Sequence, residues 1–161
     1  MGEIDVGPGA VDRPSLAGPG YTVYDKQNPA NDDGILDTFE AWANTTVGGC
    51  RIGTASFSGN TSTPTDSELI GTITAGSKQV FSGLEFEVNS GDYLGVYWSS
   101  GQFEISTFGG VGYWTDILTP GDYLDTSHLF TYYTTYVISI YATGSTISPS
   151  RRGTQVIMAG M

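Results

Sequence analysis

Residues 84–98 read Leu-Glu-Phe-Glu-Val-Asn-Ser-Gly-Asp-Tyr-Leu-Gly-Val-Tyr-Trp, and this stretch decides the fold class. Its apolar residues alternate with polar ones, so that positions 84, 86 and 88 share one face of a strand and Glu85 and Glu87 share the other. Positions 94, 96 and 98 alternate in the same way with two tyrosines. Asn89-Ser90-Gly91-Asp92 has the composition of a turn. The stretch therefore predicts two antiparallel strands joined as a hairpin.

The same alternation extends outward along the chain. The 23 glycines and 7 prolines divide it into short pieces, and none of these pieces has the periodicity of a helix. Further strands are predicted over residues 21–25, 35–43, 51–57, 68–73, 79–81, 102–105 and 129–142. About eight to ten short strands with regular turns are typical of a sandwich or barrel. We therefore expect an all-β, antiparallel β-sandwich with a jelly-roll-like arrangement.

The two ends of the chain depart from this pattern. Residues 1–20 are rich in Gly and Pro, which are poor ladder residues, and are predicted to form an extended arm. Residues 21–144 would form the β-sandwich domain, and residues 145–161 a linker followed by one strand. An isolated apolar strand needs an edge to pair with, in its own sheet or in a neighbour's, unless it is a loose terminus. The candidate assembly residues in this tail are Arg151, Arg152, Val156, Ile157 and Met158.

Charge narrows the range of partners. The 161 residues include 17 acidic and 6 basic side chains, a formal net charge of −11. Such a surface repels nucleic-acid phosphates and anionic lipid headgroups, so neither nucleic acid nor a membrane is an expected partner. The first residues lack the basic and apolar regions of a secretory leader, and synthesis in the host cytoplasm is expected.

Residues suited to catalysis are scarce. Cys50 and His128 are the only residues of their types, which is too few for a zinc site or a recognisable nucleophilic triad. Cys50 is interpreted as a small buried apolar residue and His128 as an ordinary polar or packing residue. The sequence predicts neither an enzyme nor a cofactor.

One loop is rich in oxygen ligands. Asp25, Asn28, Asn31, Asp32 and Asp33 could hold Ca²⁺, which prefers such oxygens. Their spacing matches no EF-hand, and the same residues are common in turns. The calcium site is a weak hypothesis beside the turn interpretation.

An aromatic segment supplies the candidate ligand site. Tyr113, Trp114 and Tyr123 are expected to be exposed on loops, where their rings could stack on sugars while Asp116 accepts hydroxyl hydrogen bonds. For the wider aromatic set, packing in the core or at a subunit interface is the favoured interpretation.

Five segments carry a resemblance to a known group of sequences. They are Gly2-Glu3-Ile4-Asp5-Val6-Gly7-Pro8-Gly9-Ala10 with Asp12-Arg13, Asp25-Lys26-Gln27-Asn28-Pro29-Ala30-Asn31, Ala41-Trp42-Ala43-Asn44-Thr45, Thr74-Ala75-Gly76-Ser77-Lys78-Gln79 and Ser90-Gly91-Asp92-Tyr93-Leu94-Gly95-Val96-Tyr97-Trp98. The chain resembles uncharacterised proteins of bacteriophage and environmental viral genomes over about residues 2–142. The resemblance implies a sandwich of the kind found among phage structural and fibre genes, and it supplies no catalytic residues.

Two functional hypotheses follow. The first is a virion structural protein, either a capsid decoration or a fibre-associated β-sandwich, which binds other virion subunits or itself as a homo-oligomer, with a trimer as the expected state. The second is a carbohydrate-binding module or host-glycan adhesin that uses the aromatic segment.

Overall fold

Regular structure in residues 2–146, the part of the chain that this computed structural model describes, consists of β-strands only. The strands are β1 (Glu3–Val6), β2 (Ser15–Ala17), β3 (Thr22–Asp25), β4 (Gly34–Ser58), β5 (Thr61–Ile73), β6 (Lys78–Phe81), β7 (Phe86–Val88), β8 (Tyr93–Tyr97), β9 (Ser100–Ser106), β10 (Gly112–Thr115), β11 (Thr131–Thr134), β12 (Val137–Ile138) and β13 (Ile140–Thr146). Every ladder between these strands is antiparallel. The prediction of an all-β, antiparallel sandwich is confirmed.

Strand β4 organises the fold because it belongs to both layers. Its first part pairs with β13, β6 and β7, and its last part pairs with β5 and β8. Between these parts the register with β9 is irregular, and Gly49 adopts a φ of 60°. This left-handed conformation suits glycine and lets the strand cross from one layer to the other.

The first layer contains β1, β13 and the start of β4, with β6 and β7 also paired to β4. The second layer has the order β5-β4-β8-β3-β10-β11, while β9 carries β2 and β12. The main core lies between the layers and includes Phe39, Phe86, Leu94, Trp98 and Phe103, which are fully buried. Apolar contact between the two inner faces is the main stabilising interaction of such a sandwich.

The two strands predicted within residues 84–98 are present as β7 and β8, but the predicted hairpin between them is wrong. Strand β7 pairs with β4 in the first layer, whereas β8 pairs with β4 and β3 in the second, so the turn carries the chain from one layer to the other. Phe86 and Val88 are buried, and Glu85 and Glu87 are exposed, as the alternation predicts. Asp92 in the turn is also buried, and its carboxylate accepts hydrogen bonds from the backbone N–H of Asn89 and the Thr65 hydroxyl. The turn is therefore tied into the domain.

The predicted N-terminal arm is wrong. Strand β1 pairs with β13 and buries Ile4 and Val6 completely, and β2 pairs with β9. Gly7 and Gly9, with φ values of 100° and 118°, redirect the chain between these strands. The sandwich therefore begins before residue 21.

The expected strand over residues 129–142 is divided into β11, β12 and the start of β13. The break falls at Thr135, whose φ of 68° is unusual for a β-branched residue. Its hydroxyl donates a hydrogen bond to the Thr107 carbonyl at 2.8 Å. Strand β13 continues to Thr146, and the assembly residues predicted in the tail lie outside the described residues.

Candidate functional site

A long connection, residues 116–130, covers the outer face of the second layer and is called the covering loop here. Its residues Leu124 and Phe130 are buried against Tyr24, Ala55 and Trp114. Alternation along β3 and β10 explains this second core, since neighbouring side chains of one strand point to opposite faces. The second layer is therefore apolar on both faces.

An arginine on β4 tethers the covering loop. Arg51 donates hydrogen bonds to Asp122 at 2.5 Å and to Asp125 at 2.6 Å. Its Nη2 also donates to the Ser67 hydroxyl at 2.8 Å, and that hydroxyl in turn donates to Asp125. The hydrogen bonds from Ser67 and Arg51 hold the pKa of Asp125 below its ordinary value. The loop is thus fixed by charge as well as by apolar packing.

His128 fixes the other half of the loop. Its Nε2 lies 2.9 Å from Asp116 Oδ2, and its ring stacks on Tyr123 with centroids 3.6 Å apart. The hydrogen bond with His128 is the main cause of the lowered pKa of Asp116. The Tyr123 hydroxyl donates to the Thr119 carbonyl at 2.8 Å. These contacts give His128 a packing and hydrogen-bonding role within the loop.

Trp114 and Tyr113 are not exposed as predicted. Trp114 is 2% exposed, and its indole N–H donates to Asn60 Oδ1 at 3.0 Å. Tyr113 is 5% exposed on the opposite face, where it contacts Tyr133 and Tyr136. The prediction of an exposed platform is wrong because both faces of β10 are covered. Asp116 and Tyr123 do come together, with Tyr123 partly exposed, but they contact His128 rather than Trp114.

The oxygen-rich residues of the calcium hypothesis do not converge. Asp25 is fully buried and accepts hydrogen bonds from the backbone N–H groups of Gln27 and Ile138 at 2.9 and 3.0 Å. Asn31 accepts a hydrogen bond from the backbone N–H of Asp5, and Asp33 accepts one from that of Ser90. Asp32 accepts a hydrogen bond from the backbone N–H of Asp33. Among residues 2–146 no three acidic, histidine or cysteine side chains are arranged to hold a metal ion.

Two ionisable groups of the core have altered acidity. Burial raises the pKa of Asp25 to about 7, against the opposing effect of its two backbone donors. Burial also raises the pKa of the Cys50 thiol, which is completely inaccessible. The interpretation of Cys50 as a small buried residue is confirmed.

An apolar groove lies at the open side of the sandwich, between β2 on one side and β3 and β10 on the other. One hollow of about 200 Å³ is lined mainly by Leu16, Ala17, Tyr21, Ile105, Tyr113 and Ile117. A second hollow of about 210 Å³ is lined by Tyr113, Thr115, Ile117, Tyr133 and Tyr136. Because the two hollows share three residues, we treat them as one groove.

The chemistry of the groove favours an apolar occupant. None of the side chains that line it is charged, and the Thr115 hydroxyl already donates to the Thr22 carbonyl at 2.9 Å. Leu16 and Ile117 are 49% and 55% exposed, and the adjacent Leu118 is 88% exposed. Aliphatic and aromatic surface of this kind binds apolar side chains by releasing water.

Sequence reasoning missed this groove. Leu16 falls within the predicted arm, and Ile117 and Leu118 lie in a segment without predicted strands. The available signal was the presence of aliphatic residues in Gly- and Pro-rich connections, where no strand partner would cover them.

No family model matches the chain, and neither the curated proteins nor the solved structures yielded a match. Within residues 2–146 no helix has the length and apolar character needed to cross a bilayer.

Proposed function

We propose that this protein is a structural subunit of a virus particle, a capsid-decorating or fibre-associated β-sandwich that acts by binding neighbouring subunits. The observation that carries the proposal is the apolar groove between β2 and β10, together with the exposed aliphatic residues Leu16, Ile117 and Leu118 at its rim. Contiguous apolar surface on a soluble domain commonly marks a protein–protein contact. A homo-oligomer, with a trimer as the expected state, provides such contacts.

The charge of the domain supports this proposal. All 17 acidic residues precede residue 147, together with four of the six basic residues. The domain is therefore more acidic than the whole chain, and it would be repelled by packaged nucleic acid. A position on the outside of a particle fits this charge.

The groups best suited to catalysis are occupied by structural contacts, which supports a non-enzymatic role. His128 is stacked on Tyr123 and bonded to Asp116. Cys50 is completely buried, and its raised pKa favours the unreactive thiol. Such a domain serves as a binding body.

The aromatic rings that were expected to stack on sugars are not available as an open surface. Trp114 is enclosed by the second core, and one face of Tyr123 is occupied by the His128 ring. Sugar recognition by stacking needs an accessible aromatic face. Assembly is therefore the function that we carry forward.

Sedimentation of the full chain over a wide concentration range tests self-assembly. We expect a concentration-dependent oligomer that Ile117→Asp weakens, because the new carboxylate introduces a charge into an apolar contact. Leu69→Asp is the matched control, since Leu69 is 68% exposed on β5, away from the groove.

Gene order tests the particle assignment. We expect capsid and tail genes beside the gene for this protein. A neighbourhood of polysaccharide-degrading genes, or a chain that stays monomeric at all concentrations and does not sediment with particles, would contradict the proposal.

A further inference from the structure

We infer that the groove receives Val156 and Met158 from the tail of a second copy of this chain. The inference rests on the proposed assembly function and names the partner at the groove. The tail lies outside the described residues, so its contribution is argued from its sequence and from the surface that would receive it. Three features support the match: the alternation of the tail residues, the charge of the tail and the distance that the tail can span.

The alternation of the tail residues suits a groove with two adjoining hollows. In an extended strand, residues i and i+2 point to the same side and lie roughly 6.6 Å apart. Bound as an extended strand, the tail would present Val156 and Met158 to adjacent hollows and Ile157 to the opposite side. The shared wall formed by Tyr113, Thr115 and Ile117 would separate the two side chains.

Charge favours the same partner. Residues 147–161 contain Arg151 and Arg152 and no acidic residue, whereas every acidic residue lies in the part of the chain before them. Asp12 is exposed four residues before Leu16, on the β2 side of the groove. Attraction between a basic tail and an acidic body guides association and weakens with added salt.

The register of the strands indicates why the tail comes from another copy. Ser15 of β2 and Ile138 of β12 both pair with Ile105, so the groove lies level with Ile138. From Ile138 the chain continues for eight residues to Thr146 at the end of β13, so Thr146 lies roughly 26 Å from the groove. A copy's own Val156 is ten residues beyond Thr146, and those residues span at most about 35 Å when fully extended.

A return to the same groove would therefore require a tight turn directly after Thr146 and an almost fully extended chain beyond it. The tail of a neighbouring copy enters without this restriction. Each copy then gives one tail and receives one, a head-to-tail contact that forms a closed ring when the rotation between copies is 120°. This arrangement is compatible with the expected trimer.

The test uses the full chain and two complementary variants. Val156→Asp/Met158→Asp leaves the groove intact and alters the tail, and Ile117→Asp does the reverse. We expect each variant alone to associate about 100-fold more weakly than the original chain, since each loses burial of apolar side chains. Mixed in equal amounts, they are expected to form one-to-one dimers, because one intact tail meets one intact groove.

Native mass spectrometry distinguishes these species, and near-ultraviolet circular dichroism verifies that each variant is folded. Leu16→Asp provides a second groove variant should Ile117→Asp fail to fold, and Ile157→Asp is the control that should assemble normally. Normal assembly of Val156→Asp/Met158→Asp together with weakened assembly of Ile117→Asp would overturn the inference and leave the proposed function standing. A mixture that stays monomeric would also overturn it. An original chain that never self-associates or joins a particle would defeat the proposed function as well.

Discussion

The indole ring of Trp114 lies parallel to the phenyl ring of Phe57, with centroids 3.8 Å apart, although β8 and β3 separate their strands in the sheet. The contact forms because the hairpin of β4 and β5 folds over the outer face of the second layer. Asn60 in the hairpin turn accepts the indole N–H. Trp114 thus holds the hairpin against the sheet.

Trp114→Ala is expected to lower the free energy of unfolding by about 3–5 kcal/mol, because it removes a buried aromatic side chain and leaves a cavity. Urea denaturation measures the loss. Phe108→Ala, at a side chain that is 69% exposed, should change stability by less than about 1 kcal/mol. Equal stability of the two variants would show that Trp114 is not part of a core.

Arg51→Met is expected to loosen the covering loop. It removes the hydrogen bonds to Asp122 and Asp125, and it leaves two carboxylates close together without their cation. We expect a stability loss of about 1–2 kcal/mol that shrinks in high salt, and faster exchange of the Leu124 amide. The comparison is Lys78→Met, which breaks an exposed pair with Glu40 at 3.6 Å and should cost about 0.5 kcal/mol or less. Similar exchange of Leu124 in both variants would argue against the tether.

Asp25 should make stability depend on pH near neutrality. Burial raises the pKa of Asp25 in the folded state to about 7, so the folded protein holds this proton more tightly than the unfolded chain does. The resulting contribution to the free energy of unfolding is fully present below the ordinary aspartate pKa and is lost as pH rises through 7. From this group the free energy of unfolding is expected to fall by about 2–3 kcal/mol between pH 5 and pH 8. Denaturant titrations at several pH values measure the slope.

Asp25→Asn should remove that slope. The variant will also start from lower stability, because both carboxylate oxygens accept backbone N–H groups and an amide offers only one oxygen. Asp37→Asn, at an exposed position, should retain the slope of the original chain. An unchanged slope in Asp25→Asn would assign the pH dependence to another group.

Gly95→Ala is expected to destabilise the second core. A methyl group at position 95 would lie 2.4 Å from ring carbons of Tyr24, which is fully buried and has no room to withdraw. The expected loss is about 1–3 kcal/mol, measured as a lower melting temperature. Gly18→Ala is the matched control, because open space surrounds that position and the backbone there is ordinary. A melting temperature as high as that of Gly18→Ala would show that the core adapts.

Period-two alternation predicted the strands whose two faces differ in environment, as β7 shows with buried Phe86 and exposed Glu87. It failed to predict that β4 is continuous over 25 residues. Asn44, the threonines after it and the Gly48-Gly49 pair have the composition of a turn, yet here they permit a bend within one strand. Local composition does not distinguish a bend from a reversal, since the difference depends on which strands pair on either side.

The candidate site was harder to predict for a related reason. Alternation places Tyr113 and Trp114 on opposite faces of β10, but burial depends on what covers each face. The cover for Trp114 comes from the distant hairpin and from a loop rich in turn residues. The groove likewise depends on β2 and β10 meeting from different parts of the chain. Such long-range contacts leave little trace in a local pattern.

Hydrogen bonds join Gly2 to Thr146 in both directions, because β1 lies beside β13. During synthesis on the ribosome, β1 therefore emerges about 140 residues before β13, the strand with which it pairs. Ile4 and Val6, which are fully buried in the folded domain, cannot gain their β13 neighbours before that strand emerges. The first layer is therefore completed only after β13 has emerged, and contacts between such distant parts of a chain slow folding and favour aggregation of incomplete chains.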